Sequence, residues 1–75
     1  MSYGYSARIV RLNRHASKVR LGVLLGRLCI ALDIHASEVA NIFGVSKQTI
    51  YNWFTGTHDP KDKVQAVTAY IKKHS

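Results

Sequence analysis

The stretch that decides the fold reads Ala36-Ser37-Glu38-Val39-Ala40-Asn41-Ile42-Phe43-Gly44-Val45-Ser46-Lys47-Gln48-Thr49-Ile50-Tyr51-Asn52-Trp53. Its apolar positions do not fit one continuous helix. Val39 and Phe43 form one short stripe, Val45 sits in the joint, and Ile50 with Trp53 forms a second stripe. Two short helices meeting at a large angle explain that pattern. The crossing needs a small residue on the first helix, which Ala40 supplies. Gly44 can take the left-handed conformation that ends a helix, and Ser46 can cap the next one. The spacing therefore predicts helices over 36–43 and 47–54, followed by a loop over Thr55-Gly56-Thr57-His58.

Working outward, Leu21, Leu24, Leu25, Leu28 and Leu32 recur at the spacing of an amphipathic helix, with Ser17 as its expected N-cap. Val19, Val23 and Ile30 form a second apolar stripe, more than a single core requires, which makes it a candidate contact with another chain. Gly22 and Gly26, four apart, allow close backbone packing. Asp59-Pro60 has the order of an N-cap and first helical residue, and Val64, Val67, Tyr70 and Ile71 continue at helical spacing. Residues 1–15, with Arg8, Arg11 and Arg14 between aliphatic residues, read as a basic N-terminal arm that orders on a partner. The expected fold is thus an all-α, small four-helix domain over 16–75, with the basic arm over 1–15 before it.

The chain has 75 residues, 47% of them hydrophobic, so it has material for one small core and no more. Eleven Lys and Arg against four Asp and Glu give a formal net charge of +7, which favours a polyanionic partner. So few acids argue against an enzyme built on paired carboxylates. With Cys29 as the only cysteine, an intramolecular disulfide is impossible, and a cytoplasmic setting is the expectation. His15, His35, His58 and His74 have no metal-ligand spacing, and no cofactor or small-molecule ligand is expected. The apolar run Leu21 to Leu32 is interrupted by Arg27 and falls short of the roughly 20 residues that span a bilayer.

With its spacing, Ala40, Gly44, the Trp53-to-Gly56 interval and Pro60, the chain over roughly residues 20–71 resembles the Cro and phage-repressor class of helix-turn-helix DNA-binding proteins. The resemblance implies that the second short helix enters the major groove with its outward side chains against the bases. Those side chains are Lys47, Gln48, Tyr51 and Asn52. Gln48 and Asn52 can each pair bidentately with adenine, and Lys47 can donate to guanine. On an isolated helix the same residues would be an ordinary solvated face; after such a turn, in so basic a chain, base contact is the better reading. Expected phosphate contacts are Ser37, Ser46, Thr49, Thr55, Thr57 and Lys61, and Arg27 resembles a family position that often carries a basic phosphate contact.

Two departures from the family pattern stand out. A further helix often follows the fourth in the family, so here a second copy or the arm is expected to complete the core. His35 stands where a good capping side chain is common, so a weaker cap is expected. The implied function is that of a sequence-specific transcription regulator, a small phage- or bacterial-type repressor on double-stranded DNA. A homodimer on a two-fold site, weak until DNA is bound, is the expected working unit. The alternatives are a protein-interaction module that keeps the same shape and binds a polymerase or another regulator, and an antitoxin-like regulator.

Overall fold

The computed structural model describes residues 5–74 and is all-helical. Its five α-helices are α1 (Ala7–His15), α2 (Leu21–Leu32), α3 (Ala36–Phe43), α4 (Lys47–Phe54) and α5 (Val64–His74), with one 3-10 turn at Lys61–Lys63 before α5.

The central pair forms as its residues dictate. Gly44 adopts φ 67° and ψ 36° at the end of α3, and the Val45 amide returns to Ala40 O at 2.9 Å. This αL closure satisfies carbonyls that the helix end leaves open. Ser46 then caps α4, its Oγ accepting from the Thr49 amide at 3.1 Å. His35 makes no side-chain bond at the start of α3.

α2 runs behind α4 and packs against it along two glycines. A Cβ placed on Gly22 would lie 2.7 Å from Trp53 O, and one on Gly26 would lie 2.8 Å from Phe54 Cγ. Only glycine lets the helices come this close. The core around this contact contains Val23, Leu25 and Cys29 of α2, Val39, Ala40 and Phe43 of α3, Ile50, Trp53 and Phe54 of α4, and Val67 of α5. Phe43 meets Trp53 edge-on, with ring centroids 6.1 Å apart, and Tyr70 of α5 at 5.6 Å.

The structure corrects the sequence reading in five places. The expected arm is a helix from Ala7 to His15, capped by Ser6 Oγ accepting from the Ile9 amide at 3.2 Å; its first four residues, Met1 to Gly4, lie outside the described residues. α1 belongs to the same packed unit, since Tyr5 and Asn13 are buried and the Tyr5 hydroxyl donates to Ile34 O. It thereby supplies the cover that the core was expected to need. The next helix begins at Leu21, not after Ser17, and Ser17 to Arg20 form a turn.

The expected leucine face of α2 is divided: Leu25 is fully buried, whereas Leu24 and Leu32 are exposed. Val23 is fully buried, so the expected Val19-Val23-Ile30 stripe does not exist as a surface, and Val19 lies outside the helix. Phe54, which the Ile50–Trp53 stripe does not include, is fully buried and meets the Tyr5 ring at 5.7 Å. Finally, Pro60 has ψ 65°, which is not helical, and α5 starts only at Val64. The Asp59 carboxylate faces Arg20 Nη1 at 3.8 Å.

Candidate nucleic-acid interface

Burial of Ile50, Trp53 and Phe54 fixes how α4 is turned. At about 100° per residue, Gln48 and Asn52 lie roughly 160° from Ile50, on the outward side of the helix. Gln48 and Lys47 are exposed, and Asn52 is half-buried. Gln48 Nε2 donates to Asn52 Oδ1 at 3.1 Å, so the two carboxamides share one orientation. Tyr51 stands at the flank of this face and packs partly against the core. Of the four residues expected to read bases, Gln48 and Asn52 share the outward side of α4, Tyr51 stands at its edge, and Lys47 is exposed in the first turn on another side.

Around them the hydroxyl side chains are joined in pairs. Ser46 Oγ lies 3.0 Å from Thr49 Oγ1 at the start of α4, and Thr55 Oγ1 lies 3.0 Å from Thr57 Oγ1 beyond its end. Asn52 O accepts from the Thr57 amide at 2.9 Å and the His58 amide at 3.1 Å, which ties the loop back onto the helix. Arg20 Nη1 donates to Gly56 O and holds the same loop from the other side. Thr49 and Lys61 line one cleft of about 300 Å³ together with Trp53, Asp59 and Lys63. Ser37 is exposed in the first turn of α3, next to Glu38, whose charge opposes a phosphate there.

Arg27 is placed differently from its expected role. Its Nη2 donates to Arg14 O at 3.0 Å and Ala16 O at 3.4 Å, so it caps the end of α1. Its Nε is buried without a partner among the described residues. The guanidinium thus holds the end of α1, a role the sequence reading did not give it.

Arg8, Arg11, Arg14 and His15 are exposed, and together they cover the side of α1 opposite Asn13. No acid lies within the helix. The result is a basic face on a packed helix rather than on a tail.

Sequence reasoning missed Asn13. Its Nδ2 donates to Phe54 O at 2.7 Å and Val23 O at 3.1 Å, linking α1 to both α4 and α2. The signal for α1 was present in Ser6 as a cap, followed by Ile9, Val10 and Asn13 on one face. Burial raises the pKa of Tyr5 and of Tyr70 and pushes the Cys29 thiol up to about 12. None of these groups is on the outward face of α4.

Among the described residues no three His, Cys, Asp or Glu cluster as metal ligands, and no helix is long and apolar enough to cross a membrane. Comparison of the chain with family models, curated proteins and solved structures finds no match.

Proposed function

We propose that this protein binds double-stranded DNA sequence-specifically, inserting α4 into the major groove as a helix-turn-helix of the Cro and phage-repressor kind, and regulates transcription by occupying an operator. One observation carries the reading: the outward face of α4 presents Gln48 and Asn52, with Lys47 exposed at its first position, while its inward face is sealed by Ile50, Trp53 and Phe54. These are side chains that match base edges. The +7 charge supplies attraction to the phosphates. Backbone amides at the N-termini of α3 and α4, with the Ser46–Thr49 and Thr55–Thr57 pairs, suit phosphates that flank the groove.

A protein-docking role for the same face would call for buried-anchor side chains, aromatic or aliphatic, at its centre. Tyr51 alone has that character, and it stands at the edge.

Selection from random duplexes at two salt concentrations tests the reading. A preferred sequence should emerge and persist at the higher salt. Gln48→Ala and Asn52→Ala should each relax the preference at particular positions, costing about 1–3 kcal/mol on the preferred site. Equal weakening on preferred and random duplexes would remove α4 from the reading role.

A further inference from the structure

The two carboxamides on the outward side of α4 are joined to each other. Gln48 Nε2 donates to Asn52 Oδ1 at 3.1 Å, across one turn of the helix. The bond divides their polar atoms unequally. It occupies the Asn52 oxygen with one of the two amide hydrogens of Gln48, and it leaves Gln48 with Oε1 and the other N–H.

The two residues are also placed unequally along the helix. Gln48 is the second residue of α4 and exposed, whereas Asn52 is the sixth and half-buried. At 1.5 Å per residue, Asn52 stands about 6 Å further along the axis, on a side chain one methylene shorter. Its main-chain oxygen accepts from the Thr57 and His58 amides, which brings the following loop against that end of the helix. A recognition helix meets base edges with its N-terminal residues. Place and reach therefore favour Gln48.

We propose that Gln48 alone of the pair reads a base, an adenine, and that Asn52 is the positioning residue that fixes the sense of its carboxamide. The inference rests on the function proposed above.

The sense of the bond selects the base. Adenine offers N7 as an acceptor and N6–H as a donor, and the N–H and Oε1 left on Gln48 complement both. Were the bond reversed, with Asn52 Nδ2 donating to Gln48 Oε1, Gln48 would present its two amide hydrogens, which suit the two acceptors of guanine. A free glutamine side chain must also be ordered when it binds, and a bond already formed to Asn52 removes part of that cost beforehand. The expectation that each residue pairs with an adenine of its own gives way to one readout made by two residues.

The test is position-resolved selection from random duplexes with the full native chain and four variants. Binding is then measured on the selected duplex and on one with a G·C pair at the position that Gln48 governs. Gln48→Ala should relax one A·T position about tenfold, and Asn52→Ala the same position about threefold. The double variant should lose about tenfold there, not the roughly thirtyfold to which independent contacts would multiply. Asn52→Ala retains the main-chain oxygen that holds the loop. Asn52→Asp separates positioning from reading, because a carboxylate accepts from Gln48 Nε2 but cannot donate to N7 of a base. It should weaken every duplex alike, through repulsion from phosphates, and keep the A·T preference within about twofold of native. Relaxation of a different position by Asn52→Ala, multiplied losses in the double variant, or loss of the preference in Asn52→Asp overturns the inference while leaving α4 as the reader. A pair other than A·T at the position relaxed by Gln48→Ala overturns it as well. If native protein selects no sequence, the DNA reading fails and this inference with it.

Discussion

Asn13 donates through Nδ2 to Phe54 O at 2.7 Å, joining the N-terminal helix to the last residue of the helix proposed to read DNA. The final carbonyls of a helix lack partners within it, and at the end of α4 a buried side chain from another helix supplies one. Asn13 is itself buried, so its amide is protected from competition by water. Through this bond the seat of α1 and the position of α4 become one problem in packing.

Asn13→Ala deletes the donor without adding volume. Val23 lies inside α2, so its carbonyl has an intrahelical acceptor role available, but Phe54 O would be left buried without its partner. The expected cost is about 1–3 kcal/mol, read as a shift of the urea midpoint. A variant as stable as the native protein would mean that α1 is held by its apolar contacts alone.

The helices around Gly44 were legible because their signals are local: a glycine that closes one helix, a serine that caps the next, and an alanine where they cross. The facing of α2 was not. Leu21, Leu24, Leu25, Leu28 and Leu32 read as core, yet of these Leu25 alone is fully buried, because the side that packs needs small residues where α4 approaches to within contact of Gly22 and Gly26. Close approach and high apolar content compete for the same face, and hydropathy alone favours the wrong one. α1 reads as an arm because a polar Asn13 occupies its buried position and arginines dominate its composition. The polar face of α4 was readable from spacing, whereas the placement of Arg27 depends on α1, whose cap and apolar face are outweighed in the residue pattern by its arginines.

Gly22 and Gly44 should fail for different reasons when replaced by alanine. In Gly22→Ala the new methyl meets the Trp53 backbone, and overpacking of about 1–3 kcal/mol outweighs the gain of up to about 1 kcal/mol in helix propensity. At Gly44 nothing lies within 4 Å of an added Cβ, but φ +67° makes a non-glycine residue costly by about 1–2 kcal/mol. Gly44→Asn, a residue that tolerates this conformation, should recover part of the loss, while no rescue of that kind exists at Gly22. Thermal unfolding of the three variants checks both statements.

Cys29 is fully buried, and desolvation, with Glu38 as the second cause, pushes its thiol from 9.0 up to about 12. The folded protein should not react with a thiol-specific reagent at pH 8, and the urea-unfolded chain should react at once. The same shift links stability to pH. The folded pKa is raised, so this contribution is fully present below about pH 9 and is lost as pH rises towards 12, where the unfolded chain has already released its proton. Urea midpoints measured across that window should fall with pH, and less steeply in Cys29→Ala. Tyr5, shifted upward in the same sense, keeps part of the slope in the variant.

The basic face of α1 should add affinity without adding sequence preference. Deleting the segment would remove Tyr5 and Asn13 from the core along with the charges, so a truncated protein would confuse unfolding with weaker DNA attraction. Replacing Arg8, Arg11 and Arg14 by glutamine avoids this, since all three side chains are exposed and the bond from Arg27 goes to the Arg14 backbone, which any residue supplies. For every arginine that neutralises a phosphate, its replacement should make the slope of log K against log salt shallower by about 0.9. The preferred sequence should stay the same, because contacts to the DNA backbone set position rather than read bases. A slope equal to that of the native protein would show that α1 faces away from the duplex, and a changed sequence preference would give it a part in reading the groove.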